Sequence, residues 1–456
     1  MSTVLPPVRR HKRPEVFLAS ANQERLYRAE HAAPLTQPGV TFSLSILGPC
    51  NERILRDALA SVVKRHEALR TEFALSGDAL KQRVCDDVEV SWRQVNLRTE
   101  RAFDRAWLSD EASRLAATPM DLGRAPLLRV VEAVYGDSDR MLLIDIHHLV
   151  SDGWCISLFI SDLVEAYTHI ASGRSISCMP HPLQFGDFAL WEKKLLASPL
   201  GQKAKEYWQR HFESLPAFGS GTQPIAKRKS FEARTLARDL DSEILQVVAA
   251  FAKTHGVRGM SVLLSAHALA STLRNKPEDA FISMPVFNRR AAGSRQIFGW
   301  LANAFPLFLR VSNTSKAIDV VRQTHTALCE IADYDFMPMG SLGGDGSLRR
   351  QRARVLFSLV PIGQTDRRAG DVAFRLISME GSVLSTFYDY CIYVIETRSG
   401  VRLYIGYHQD AVSDADAEVI ASCFVSSLQE ILNAPFDSVP DCLRMLSKFS
   451  EGTTIE

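Results

Sequence analysis

The 456-residue sequence lacks an excess of either charge. Its 53 Lys and Arg face 52 Asp and Glu, a formal net charge of +1. That balance leaves no global field to draw in nucleic acid or an acidic surface, so a charged partner must be met by a local patch. Paired cysteines are lacking too. Eight are scattered, at Cys50, Cys85, Cys155, Cys178, Cys329, Cys391, Cys423 and Cys442. None forms a CxxC pair or a zinc-like spacing, which points to reduced, mostly buried thiols in a cytoplasmic protein. There is no apolar run of about 18 residues, and the opening MSTVLPPVRRHKRPEVF has no signal-peptide core. Secretion by a cleaved leader and membrane spanning are therefore not expected. Repeats, heptads and low-complexity tracts are missing as well. What is present is 46% hydrophobic and 23% charged residues, the balance of a globular protein. The length suits roughly three domains, or two larger ones.

Residues 1–14 are Pro-rich and basic, with Arg9, Arg10, Lys12 and Arg13 close together. They read as a flexible solvated tail, or else as a docking strip for an acidic partner. Residues 52–65 carry one apolar face (Ile54, Leu55, Leu59, Val62, Val63) and predict a helix. The run RMLLIDI at 140–146 predicts a buried strand. A polar turn follows it, then a helix over 157–171 with Ser172-Gly173 as its C-cap. Residues 172–183 read as a linker, 201–215 as a helix and 220–230 as an exposed loop. Helical periodicity returns at 242–256, 261–274 and 414–433, and two strands at 388–396 and 401–408 flank a turn at Arg398-Ser399-Gly400. The division expected is a tail over 1–14, a first α/β lobe over 15–175 and a second over 176–456.

The chemistry concentrates in Asp145-Ile146-His147-His148-Leu149-Val150-Ser151-Asp152-Gly153-Trp154. Two adjacent histidines end an apolar strand. Side chains alternate along a strand, so only one of them can face a given surface. A metal site built from both is not supported, and no third ligand is near in sequence.

HHxxxDG followed by Trp resembles the active-site motif of the condensation domains of nonribosomal peptide synthetases, members of the chloramphenicol acetyltransferase-like acyltransferase superfamily. Further motifs occur in the family's order. Residues 20–27, SANQERLY, resemble SxAQxRLW with Asn22 in place of Ala. Residues 65–73, RHEALRTEF, match RHExLRTxF; residues 185–191, FGDFALW, resemble YxDYAVW; and residues 297–304, IFGWLANA, resemble IGxFVNT. Tyr334-Asp335-Phe336-Met337-Pro338 is a weak likeness of HQDYPFE. Of RDxSRNPLF there remain mainly Arg349 and Leu356-Phe357. The likeness runs from about residue 16 to 435.

The resemblance implies an α/β fold of two chloramphenicol acetyltransferase-like lobes, a V-shaped pseudo-dimer with a central tunnel. It implies that His148 faces the reaction, as a base or by orienting the nucleophile, while His147 points the other way in support. Gly153 is a candidate backbone contact for an oxyanion, with a plain turn glycine as the alternative. Asp152 is implied to be structural, paired with Arg289. Ser20, Gln23, Trp154 and Asn303 are candidate tunnel or substrate residues, with local capping and packing as the competing reading. Trp191 and Trp300 read as packing, Arg65–Glu67 as a tie between lobes, and Tyr388-Asp389-Tyr390 as the strand that crosses between them.

The function implied is a stand-alone condensation enzyme. It would join an acyl thioester, carried on the phosphopantetheine of a donor acyl or peptidyl carrier protein in trans, to an amine or alcohol, free or carrier-bound. A place at chain release in a peptide or polyketide pathway fits. No cofactor belongs to the chain itself, and a monomer is expected. The Arg9–Arg13 cluster and Arg349, Arg350, Arg352 and Arg354 are candidate docking patches. The alternatives are an acyl-CoA-dependent or polyketide-associated acyltransferase, an epimerisation domain, and a silent docking domain.

Overall fold

The computed structural model describes residues 3–32, 39–98, 105–116, 118–175, 182–214, 233–275, 279–311, 315–342, 355–360, 366–378, 388–397 and 400–438. The first half runs β1 (Val16–Leu18), α1 (Ala21–Ala32), β2 (Gly39–Leu47), α2 (Glu52–Arg65), β3 (Thr71–Ser76), β4 (Ala79–Val84), β5 (Ser91–Asn96), α3 (Arg105–Ala116), β6 (Leu128–Val134), β7 (Asp139–His147) and α4 (Cys155–Ala171). The second runs α5 (Phe185–Leu196), α6 (Pro199–Ser214), β8 (Ala233–Leu240), α7 (Ile244–His255), α8 (Gly259–Asn275), β9 (Asp279–Val286), β10 (Asn303–Arg310), α9 (Ala317–Ala332), β11 (Val355–Val360), β12 (Arg367–Ala369), β13 (Val372–Ser378), β14 (Tyr390–Thr397), β15 (Gly400–His408) and α10 (Asp414–Asn433). Each lobe is built on a six-stranded sheet, ordered β12-β13-β2-β7-β6-β5 and β10-β9-β11-β14-β15-β8. A small sheet, β1-β4-β3, flanks the first.

The strand that ends in the histidine pair lies inside its sheet, and its pleat divides its residues between two cores. Leu142, Ile144 and Ile146 join the main core with α2 and α4, while Met141 and Leu143 join a smaller one with Leu108, Ala112 and Leu115 of α3. Burying each such side chain contributes roughly 1.5–3 kcal/mol. Asp145, on the α3 side, is neutralised by Arg129 at 2.8 Å and accepts from Thr41 Oγ1 at 2.7 Å. With both faces covered and both edges paired, β7 is a rigid platform for whatever its C-terminal end carries. Helix α2 forms where its periodicity places it. Asn51 caps it by accepting from the Ile54 N–H at 3.1 Å, and Leu55, Ala58, Leu59, Val62 and Val63 are buried.

Two boundaries read from the sequence are corrected. Residues 3–14 are not a solvated tail. Leu5 and Val8 are buried, and the Val8 N–H donates to Ala292 O at 3.0 Å. The Thr3 N–H donates to Asp333 at 2.9 Å, Trp191 Nε1 donates to Pro6 O at 3.0 Å, and the His11 N–H donates to Asp187 at 3.0 Å. Arg13 turns inward onto Glu67 at 2.7 Å, leaving Arg9, Arg10 and Lys12 exposed. The segment is a strap pinned to both lobes. Nor does the second lobe hold all of 176–456. Strand β13 pairs antiparallel with β2, so the β12–β13 hairpin completes the first lobe's sheet. Tyr388-Asp389-Tyr390 is not the crossing strand, since Tyr390 opens β14 inside the second sheet. The arginines at 349–354 and the loop at 220–230 lie outside the described residues.

Candidate active site

The chain leaves β7 at His147 and makes one turn of 3-10 helix over His148–Val150 before α4. The pleat sends His147 inward, where its ring is fully buried. Its Nδ1 accepts from the Leu149 N–H at 3.1 Å, and its Nε2 lies 3.3 Å from the Glu30 carboxylate. His148 emerges one residue later and is half-buried as a residue. Its Nδ1 lies 2.8 Å from Ser151 O. A carbonyl only accepts, so Nδ1 carries the proton and Nε2 keeps the lone pair. Burial pushes the His148 pKa below its usual 6.5, against the upward pull of Asp152 and the Ser151 carbonyl, so the ring is neutral near pH 7. The Trp300 indole packs on it, ring centroids 4.7 Å apart.

Asp152 holds this turn to the second lobe. Arg289 Nη1 donates to its Oδ2 at 2.8 Å and Nη2 to its Oδ1 at 3.1 Å. The N–H groups of Trp154, Leu301 and Ala302 fill the remaining lone pairs at 3.1, 3.0 and 3.0 Å. A buried carboxylate with its lone pairs so filled is committed to holding the turn. Arg289 also donates to the carbonyls of Phe287, Ile297 and Gly299. Asn288, just before it, stands at φ 52°, a left-handed conformation asparagine tolerates. Gly153 stands in the turn that opens α4, and its N–H donates to no described residue.

The four candidate tunnel or substrate residues all make contacts within the protein. Ser20 and Gln23 are buried and cap α1: the Ser20 N–H donates to Gln23 Oε1 at 2.9 Å, and the Gln23 N–H donates to Ser20 Oγ at 3.3 Å. Gln23 Nε2 then donates to Leu149 O at 2.8 Å. Asn303 is buried, accepting from Asn22 Nδ2 at 2.6 Å and donating to Asp335 O at 3.0 Å. Trp154 spends its indole N–H on Arg295 O at 3.0 Å and lies over the Arg289 guanidinium. The polar side-chain groups named here all contact protein, as local capping and packing would have them do. Nothing in the sequence pointed to the Ser151 carbonyl or the Leu301 and Ala302 N–H groups, because any residue supplies those atoms. Trp300, read only as packing, touches the imidazole.

Glu192 of α5 reaches the same helix start, accepting from the Ala21 N–H at 3.2 Å. Burial pushes its carboxyl up to about 7, and that one hydrogen bond only partly opposes the rise. The folded chain thus holds a proton that the unfolded chain, near 4.5, gives up. The stability this contributes is complete below about 4.5 and drains away as pH rises to about 7, by about 3 kcal/mol at ~1.4 kcal/mol per unit. Glu192→Gln removes that slope. Urea midpoints across the window are expected to fall in the wild type and stay flatter in the variant. Parallel curves would show that Glu192 is ionised throughout.

Among the described residues, no three His, Cys, Asp or Glu side chains are grouped to hold a metal, and no helix is long and apolar enough to cross a membrane. Comparison with known proteins matches residues 14–451 to the family model described as Condensation domain. Malpinin synthetase of Mortierella alpina is 26% identical over 327 residues, 70% of this chain and 4% of that protein. Bacitracin synthase 1 of Bacillus licheniformis is 22% identical over 433 residues, 93% of this chain and 8% of that protein. The chain thus spans under a tenth of the length of these curated relatives. Among solved structures, the first condensation domain of the calcium-dependent antibiotic synthetase, in complex with a substrate analogue, superposes with TM-score 0.80 at 20% identity over 93% of this chain and 98% of that one. The X-domain complexed with OxyB from teicoplanin biosynthesis gives 0.79 at 20% identity over 97% and 99%. The shared fold is the V-shaped pair of chloramphenicol acetyltransferase-like lobes. With a family match over nearly its whole length, the chain belongs to the Condensation domain family.

Proposed function

We propose that this domain transfers an acyl group from a carrier-bound thioester to an amine or alcohol, with His148 as the group that meets the nucleophile. The observation that supports this best is the state of one ring. His148, half-buried as a residue, is locked through Nδ1 onto the Ser151 carbonyl and neutral near pH 7, with Nε2 left as an acceptor. An incoming N–H or O–H donates to Nε2. As the nucleophile attacks the thioester carbon the proton passes to Nε2, the carbonyl oxygen gains charge, and the carrier thiolate leaves with that proton. An amine brings its own lone pair and needs mostly orientation, whereas a hydroxyl needs the proton removed. Gly153, whose N–H is free among the described residues at the start of α4, is the donor proposed for the oxyanion. Asp152 and Arg289 hold the turn. The phosphopantetheine arm of the donor, and of a carrier-bound acceptor, would arrive as substrate along a passage between the lobes.

The partner is proposed to be an acyl or peptidyl carrier supplied in trans, and a chain-release step onto a soluble acceptor is the setting that fits a free nucleophile. The other reading is recruitment without catalysis, which the likeness to an X-domain complexed with OxyB raises. The test incubates the protein with carriers loaded with a panel of acyl groups, plus amines and alcohols, and weighs carriers and products by intact-protein mass spectrometry. Loss of the acyl group with matching amide or ester formation supports the proposal. Carrier binding with no transfer across the panel would favour recruitment, and transfer from acyl-CoA alone would move the donor to a soluble thioester.

A further inference from the structure

We infer that Gln23 is a positioning residue for His148, and that Asn22 beside it registers the His148 turn against the second lobe. Both side chains leave the first turn of α1. Gln23 has one polar end in the Ser20 cap and its amide N–H on Leu149 O at 2.8 Å. Leu149 is the middle residue of the one-turn helix that carries His148, and its own N–H is held by His147. Its peptide groups are thus gripped from two sides, by the buried histidine and by Gln23. The turn's direction decides whether the His148 ring meets the Ser151 carbonyl, which is what fixes its proton on Nδ1.

Asn22 carries the same framework across the lobe boundary. Its Nδ2 donates to Asn303 Oδ1 at 2.6 Å and to Ala302 O at 3.3 Å. Ala302 is gripped at its other end too, its N–H donating to Asp152 Oδ2 at 3.0 Å. One residue of the second lobe is therefore bound on one side by the helix that holds Leu149 and on the other by the acid that follows His148. Asn22 stays buried although its own Oδ1 meets no partner. A polar group kept at such a cost serves register more readily than stability. It also stands where the resembling motif has Ala, so the latch is a property of this chain.

The inference rests on the reading of His148 as the reacting group, but its test reads the ring and not turnover, so the two can fail separately. Protein with isotope-labelled histidine is examined by NMR, the His148 signals being assigned by their loss in His148→Asn. The wild type is expected to show the Nδ1–H tautomer alone. Gln23→Leu removes the donor, and Gln23→Glu keeps the shape but turns an acceptor toward the Leu149 carbonyl. Both are expected to bring the Nε2–H tautomer from undetected to a population comparable with the other. Ser20→Ala, which weakens the α1 cap without touching Leu149, should lower thermal stability and leave the tautomer alone. Asn22→Ala should speed amide exchange at Ala302 and Asn303 by about tenfold or more, since an opened latch exposes them. An unchanged His148 tautomer in a folded Gln23→Glu protein, or an equal change in Ser20→Ala, would overturn the positioning role. Unchanged exchange in Asn22→Ala would overturn the latch.

Discussion

His148→Ala is expected to lower acyl transfer by about 10²–10⁴-fold, the range a positioned proton acceptor supplies, with little change in thermal stability. The loss of rate follows from the ring's state, with one nitrogen committed to Ser151, the other open, and no charge near pH 7. The unchanged stability follows from how the ring is carried, on a backbone held by other groups. His147, Gln23 and Asp152 grip the turn without help from the His148 side chain. The size of the loss should depend on the nucleophile. A hydroxyl acceptor, which cannot attack before its proton is drawn off, should suffer more than an amine. Paired measurements on the same loaded carrier, with an amine and with the matching alcohol, check this. Equal small losses for both would reduce His148 to a shape-filling role.

Arg289→Ala is expected to cost about 3–5 kcal/mol of stability, the usual penalty for leaving a buried charge without its partner, and to abolish transfer with it. The guanidinium and the Asp152 carboxylate are 2% and 1% exposed, so water cannot replace the lost pair. Three carbonyls from the 287–299 loop lose the Arg289 N–H in the same substitution, though Gly299 O keeps that of Leu301. Arg289→Lys should recover little, because a single ammonium cannot reproduce two parallel bonds to the carboxylate together with the carbonyl contacts. Replacing both partners together, Asp152→Leu with Arg289→Leu, should restore part of the stability and none of the activity, since the Ala302 N–H still loses its acceptor and the Leu301 N–H keeps only Gly299 O. Denaturant unfolding of the four proteins tests this. A variant as stable as the wild type at Arg289→Ala would mean that the lobes are held elsewhere.

How far the sequence spoke can be judged residue by residue. The apolar stripe of α2 and the periodicity over 414–433 write their helices in local pattern, and the structure places both where the pattern does. The Asp152–Arg289 pair spans 137 residues. No local signal joins them, and only the likeness to a family did. The strap failed as a reading because Leu5 and Val8 are two apolar residues among prolines and bases, too few to show a period. The β12–β13 hairpin failed because nothing in a strand's own residues names a partner more than 300 positions away. Ser20, Gln23 and Asn303 were legible as residues that matter but not as what they touch. A motif marks a side chain and leaves open whether it meets a substrate or a neighbouring backbone.

Whether a neutral His148 receives the nucleophile's proton is decided by the single-turnover rate of transfer from a loaded carrier. The rate is followed from about pH 5 to pH 9 with an acceptor that does not itself titrate in that range. It is expected to rise with a midpoint below 6.5, to level near neutrality, and to lose that inflection in His148→Ala. A His148→Ala protein that keeps both the wild-type rate and the wild-type inflection would refute proton transfer to this ring.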